Sequence, residues 1–166
     1  DNSPEAANAS SNSDAIYVHN PSNPGVSKAY NEAYKVARQL SKKWILLADQ
    51  DTEFPSTLFS DYSNAVKKNP FVNFFTPSLF DSRGLVSPFR LRWGKGSRIR
   101  SLPSGVYSLE KYKIINSGMM ICVDAFEKAG GYDERFPLDY SDISFCERVF
   151  MHDPNFVLIP SKCNHH

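Results

Sequence analysis

The run "KWILLADQD" at residues 43–51 constrains this chain more than any other segment. Four large apolar residues and Ala48 stand in a row with no polar alternation, the pattern of a short strand covered on both faces. Such a strand needs layers on either side, and its neighbours supply them. Upstream, "NPGVSKAYNEAYKVARQLSKK" (residues 23–43) spaces Val26, Ala29, Tyr30, Ala33, Ala37 and Leu40 as one face of an amphipathic helix, with Asn23 and Pro24 as its start signal. Downstream, "PSTLFSDYSNAVKKN" (residues 55–69) predicts a second helix opened by Pro55 and Ser56, and "PFVNFFTPSLF" (residues 70–80) another β-type run. With "AIYVHN" (residues 15–20) as a first β-type run, the order is strand, helix, strand, helix, strand. The expected fold class is therefore α/β, a mixed, mostly parallel sheet with right-handed crossovers, flanked by helices.

Composition fits one domain spanning residues 1–166: the chain is 41% hydrophobic and 22% charged, enough to bury a core. The first fourteen residues, small and polar, read equally well as a disordered leader. Nineteen basic against 18 acidic residues leave a net charge of +1, which argues against nucleic acid as a partner. No apolar run approaches the ~20 residues that span a bilayer. Three widely spaced cysteines, Cys122, Cys146 and Cys163, suit a reducing compartment, so the cytoplasm is the expected address. The glycosylation-type triplet Asn8-Ala9-Ser10 carries no weight there.

Asp49 and Asp51 follow the apolar run directly, at the carboxyl end of a strand, where open α/β sheets bind ligands. Residues i and i+2 of an extended segment point to one side, so the two carboxylates converge. A hard divalent cation, Mg2+ or Mn2+, relieves their repulsion. The plainer reading is an acidic loop capping the next helix. An EF-hand is excluded, since its sixth and twelfth positions would hold Phe54 and Ser60 instead of Gly and Glu. A haloacid dehalogenase-type D-x-D fares little better, with Glu53 where Thr or Val belongs.

A second constellation lies in "INSGMMICVDAFEKAGGYDERFPLDYSDISFCERVF" (residues 115–150). A β-type run around "GMMICV" leads to a short helix, a Gly130-Gly131 turn, and the acids Asp133, Glu134, Asp139 and Asp142. Helical spacing resumes through Ile143, Phe145, Cys146 and Val149, placing Asp142 in a first turn, where a cap alone would explain it.

Four segments in this order resemble the inverting family 2 glycosyltransferases of the GT-A fold, in particular the rhamnosyltransferase-like group. They are "DNS" at Asp1, "NPGVSKAYN" at residues 23–31, "LLADQDTEFP" at residues 46–55, and "NSG" through "GGYDERFPLDYSDISFCER" at residues 116–148. The resemblance implies inverting transfer of a sugar from a nucleotide diphosphate donor, a dTDP- or UDP-sugar, to a hydroxyl of a glycan or lipid-linked glycan in bacterial cell-surface polysaccharide synthesis. It implies nucleotide contacts from Asp1, Asn23, Gly25, Asp49 and Asn116, with Asp49 facing the ribose and Asp51 holding the metal. It implies a general base at Asp142. Many family members carry two adjacent acids there; this chain has Ser141-Asp142, so Asp139 stands as the second charge and as the alternative base. His165 is implied as a further metal ligand. A non-catalytic sugar-nucleotide or glycan-binding module and a nucleotidyltransferase are the rival readings. In the family, Asp1 would end the second strand, so the chain is expected to be truncated, lacking a first βαβ unit and a C-terminal acceptor region. An uncovered sheet edge then invites self-association.

Residues 82–113 hold Arg83, Arg90, Arg92, Lys95, Arg98, Arg100, Lys111 and Lys113 against Glu110 alone. They read either as a solvated loop or as a flap meeting a diphosphate, of the donor or of a lipid-linked acceptor at the cytoplasmic face of a membrane, with peripheral membrane contact. Cys163, His165 and His166 are zinc-ligand types without the paired spacing of a zinc site.

Overall fold

The computed structural model describes residues 1, 3–6 and 15–166. The triplet Asn8-Ala9-Ser10 and most of the polar leader lie outside the described residues.

In chain order the elements are α1 (Val26–Gln39), β1 (Trp44–Leu46), β2 (Thr52–Glu53), α2 (Leu58–Lys68), β3 (Phe74–Asp81), β4 (Gly84–Ser87), β5 (Arg90–Arg92), β6 (Lys95–Ser97), β7 (Gly105–Ser108), β8 (Met120–Cys122), α3 (Val123–Lys128), α4 (Ser141–Phe150) and β9 (Asn155–His165). Strands β1, β8, β3, β9 and β2 lie side by side in that order, with β4 paired to β3 and β7 to β9, while β5 and β6 form a separate hairpin.

Alternation along the strands explains the layering. Phe74 faces one core and Phe75 the other; Ile121 and Met120 divide likewise, as do Leu158 and Val157. One face packs against α3 and α4 through Phe126, Phe145 and Val149, with Tyr30 and Tyr34 of α1 at its margin. The other packs against α2 through Leu58, Tyr62 and Ala65. The Tyr62 hydroxyl donates to the Gly118 carbonyl, tying α2 to the turn before β8. Both faces being covered is why β1 reads as an unbroken apolar run.

The expected α/β class and mixed sheet are present, but the balance of pairings differs. Among the described residues only β3 with β9 is parallel; β1–β8, β3–β8, β3–β4, β7–β9 and β2–β9 are antiparallel. Two of these antiparallel pairings come from β8, which enters from about 75 residues beyond β1 in sequence and runs reversed between β1 and β3. The reading of residues 15–20 as a strand is corrected. Among the described residues that segment meets the backbone of Asp1, the Asp1 nitrogen donating to the Val18 carbonyl at 2.9 Å and the Asn20 N–H to the Asp1 carbonyl at 2.8 Å, and residues 15–20 carry no strand.

Near the site, Gly131 has φ +66°, and a Cβ there would meet Asn31 Oδ1 at 2.7 Å. The close approach lets Asn31 on α1 accept from Tyr132 N–H at 2.7 Å and donate to its carbonyl at 3.0 Å. That clamp sets Tyr132, whose ring stacks on Phe145 at 4.1 Å and lies 5.1 Å from Tyr30.

Candidate functional site

β1 runs straight into Ala48, Asp49, Gln50 and Asp51, which form one wall of a cleft of about 670 Å3. Tyr30 of α1, Asn116 before β8, Asp139, Asp142 in the first turn of α4, and His165 at the end of β9 line its other sides, with Val26, Ile115, Leu138, Tyr140 and Ser141 between them. Asp133 and Glu134, the other acids of the second constellation, turn away: Asp133 pairs with Arg135 at 2.7 Å and Glu134 accepts from Asn31 at 3.0 Å.

Asp49 is held at both ends. The Tyr30 hydroxyl donates to its Oδ1 at 2.5 Å, and its own N–H donates to Ser117 Oγ at 3.2 Å. Burial, the hydrogen bond to Asp49 and the charges of Asp49, Asp51 and Asp142 push the Tyr30 phenol well above its ordinary value, so it remains a donor. From Ser117 a hydroxyl chain continues to Thr52 Oγ1 at 2.8 Å, and Thr52 lies 3.0 Å from His165 Nδ1.

His165 meets Asp51 because of sheet register. β2 and β9 pair with Thr52 opposite His165, and the His166 N–H donates to the Asp51 carbonyl at 2.9 Å. His165 Nδ1 then stands 3.4 Å from Asp51 Oδ1. Among the described residues no three His, Cys, Asp or Glu side chains form a metal cage by themselves. One carboxylate and one imidazole still fit a divalent ion that takes its other ligands from a diphosphate and water, as Mg2+ and Mn2+ do. Cys163, by contrast, is buried among the α2-side core, which pushes its thiol up to about 11 and keeps it protonated.

Across the cleft, Asp142 follows Tyr140, a left-handed residue with φ +66° that turns the chain into α4. The half-buried Asp142 carboxylate accepts the Ile143 N–H at 2.7 Å. Burial raises its proton affinity above the ordinary carboxylate value, and the charges of Asp49 and Asp139 add to the rise, while the Ile143 N–H partly opposes it. Asn116 forms the floor beneath: its Oδ1 accepts the Tyr132 hydroxyl at 2.6 Å, and its Nδ2 lies 3.5 Å from Ser141 Oγ.

The structure thus gathers Asp49, Asp51, Asn116, Asp139, Asp142 and His165. Asp1 and Gly25 instead line a second hollow of about 400 Å3 on the outer face of α1, with Ile16, Val18 and Val36. Asn23, at φ +44°, precedes that helix start. Gly25 has φ +88°, and a Cβ there would sit 2.3 Å from the Pro137 carbonyl oxygen, which accepts the Val26 N–H at 2.8 Å. Sequence reasoning missed Tyr30, Thr52, Ser117 and Ser141 as site residues. A tyrosine on the apolar face of a helix was the one available signal, because a buried hydroxyl needs a partner.

No curated protein matches the chain. Among solved structures, a crystal structure of GalNAc-T7 with UDP, GalNAc and Mn2+ is similar at TM-score 0.63 and 13% identity, covering 89% of this chain. The chain spans 31% of that protein's length, and the likeness is one of fold, the GT-A fold expected from the sequence. The family description Glycosyl transferase family 2 matches residues 1–128, which include Asp49, Asp51 and Asn116 and stop short of Asp139, Asp142 and His165. A mixed sheet with an acidic cleft at the end of β1 and a match over most of the sequence lead to one conclusion: the chain belongs to glycosyl transferase family 2.

Proposed function

We propose that the cleft transfers a sugar, with inversion at the anomeric carbon, from a nucleoside diphosphate donor to an acceptor hydroxyl. The observation that carries the reading is the placement of Asp142 across one cleft from the Asp49, Asp51 and His165 wall. The diphosphate lies toward Asp51 and His165, the nucleotide toward Asp49 and Asn116, with Asp1, Asn23 and Gly25 around the adjoining start of α1. A divalent cation, Mg2+ or Mn2+, bound at Asp51 and His165 would neutralise charge on the departing diphosphate. Asp142 takes the proton of the acceptor hydroxyl as its oxygen attacks the anomeric carbon from the face opposite the diphosphate. The bond from that carbon to the diphosphate oxygen breaks, and nucleoside diphosphate leaves. The raised proton affinity of Asp142 suits it to accept that proton, and Asp139 beside it contributes to the rise.

The finer assignments rest on the resemblance: a dTDP- or UDP-linked hexose or rhamnose as donor, and a glycan or lipid-linked glycan of a bacterial cell surface as acceptor. Three buried free cysteines support a reducing, cytoplasmic address. No helix among the described residues is long and apolar enough to cross a membrane. The deciding experiment incubates the protein with UDP- and dTDP-sugars and Mn2+ and identifies the products. Nucleoside diphosphate with an inverted glycoside supports the reading. Pyrophosphate release would make it a nucleotidyltransferase, and binding without any product would make it a binding module.

A further inference from the structure

The hairpin of β5 and β6 is built against its own stability. Its two-residue turn is Trp93-Gly94, with φ of +53° and +71°, a turn type that favours Asn-Gly. A bulky tryptophan in the left-handed region is a strained choice, and strain of this kind concentrates at functional positions. The ladder pairs Arg92 directly opposite Lys95, two like charges where opposite ones would stabilise. Trp93 is 100% exposed. Arg92, Lys95 and Arg100 are exposed as well and have no ion-pair partner among the described residues.

The base of the hairpin is fixed where the tip is not. Arg98 binds Asp81 through two hydrogen bonds of 2.6 Å, and the Arg90 guanidinium lies 5.6 Å from the centre of the Tyr112 ring. Phe89 and Lys113 exchange backbone hydrogen bonds of 2.9 and 2.8 Å. Their strand leads three residues on to Asn116 in the cleft, so a body that held the tip would sit at a set position relative to the site. An amphipathic indole at the apex, flanked by unpaired cations, matches the interface of an anionic bilayer, where the ring settles at headgroup level and the cations meet lipid phosphates.

We propose that the β5–β6 hairpin is a membrane-docking element, with Trp93 entering the headgroup region of an anionic phospholipid surface and Arg92 and Lys95 binding the lipid phosphates. The inference rests on the hairpin alone and stands whether or not the cleft transfers sugar. The test uses the whole chain carrying Trp44→Phe, which leaves Trp93 as the only indole of the two in the sequence. Vesicles of phosphatidylglycerol in phosphatidylcholine should sediment the protein and shift Trp93 emission to the blue, and pure phosphatidylcholine should do neither. Removing both tip cations (Arg92→Ala with Lys95→Ala) should weaken vesicle binding on the order of 30-fold, roughly fivefold for each charge. Trp93→Asn, which suits the turn better and leaves the fold intact, should abolish the residual binding. Unshifted Trp93 emission on sedimented vesicles, equal binding to neutral vesicles, or parental binding by Trp93→Asn would each overturn the proposal. Release from vesicles by soluble UDP with Mn2+ would also overturn it, by assigning the hairpin to the nucleotide.

Discussion

Replacing Asp142 by Asn should make the protein slower and more stable at once. The two effects share one cause. Asp142 is half-buried, and burial, Asp49 and Asp139 raise its proton affinity above the ordinary value. A carboxyl whose proton affinity is higher folded than unfolded stabilises the fold when protonated. That stabilisation is fully present below the unfolded pKa of about 3.9 and is lost as pH rises through the folded value. At pH 7 the native protein therefore holds an ionised group that folding disfavours, at about 1.4 kcal/mol for each tenfold of excess proton affinity. Asn keeps the shape and the acceptor for the Ile143 N–H at 2.7 Å while removing the charge.

For a domain of this size each kcal/mol moves the melting temperature by roughly 2–4 °C. Asp142→Asn should accordingly melt a few degrees above the parent at pH 7, with the gap closing toward pH 4. Turnover should fall roughly 10²- to 10⁴-fold, the worth of a positioned base, with donor binding nearly unchanged. In the parent, turnover should drop tenfold per pH unit on an acidic limb whose midpoint lies above the ordinary carboxylate value, since the base works only when ionised. Scanning calorimetry and steady-state rates across pH read both. A variant that melts lower at pH 7, or whose gap widens on acidification, would refute the electrostatic account; near-normal turnover would move the base to Asp139.

Three further outcomes follow from the cleft and its supports. Asp51→Ala should abolish the effect of Mn2+ or Mg2+ on nucleoside diphosphate binding measured by calorimetry, because His165 alone leaves the ion without a carboxylate; unchanged metal dependence would put the ion elsewhere. Tyr30→Phe removes the donor to Asp49, a hydrogen bond to a charged group worth about 1.5–3 kcal/mol to the fold, and should lower the melting temperature by several degrees while also weakening nucleoside diphosphate binding; an unchanged melting temperature would show that this bond does not hold Asp49. Gly25→Ala places a Cβ 2.3 Å from the Pro137 oxygen at φ +88°. Left-handed strain and overpacking together should cost about 2–5 kcal/mol, a fall on the order of 10 °C in melting temperature, whereas loss of nucleotide affinity without loss of stability would make Gly25 a nucleotide contact alone.

What was legible in the sequence and what was not divide along the range of the interactions. Helices α1, α2 and α4 and strands β1 and β3 follow from periodicities of a few residues, and the structure has them close to where they were read. Asp49 and Asp51 were legible because a strand end and a two-residue spacing are local facts, and Asp142 because a helix start is one. The insertion of β8 between β1 and β3 was not, since nothing within "GMMICV" states that it pairs backwards with residues about 75 positions upstream. Ile45 facing Ile121 is a choice made by packing, after the local pattern is spent. Residues 15–20 show the converse, a β-type composition that carries no strand among the described residues. The same limit explains the site. His165 reaches Asp51 only through the register of β2 against β9, with Thr52 and His165 113 residues apart, and Tyr30 reaches Asp49 only once α1 lies beside the end of β1. Composition supplied the acids; long-range register decided which of them share a cleft, leaving Asp133 and Glu134 outside it and drawing in a tyrosine and a hydroxyl chain that carry no motif of their own.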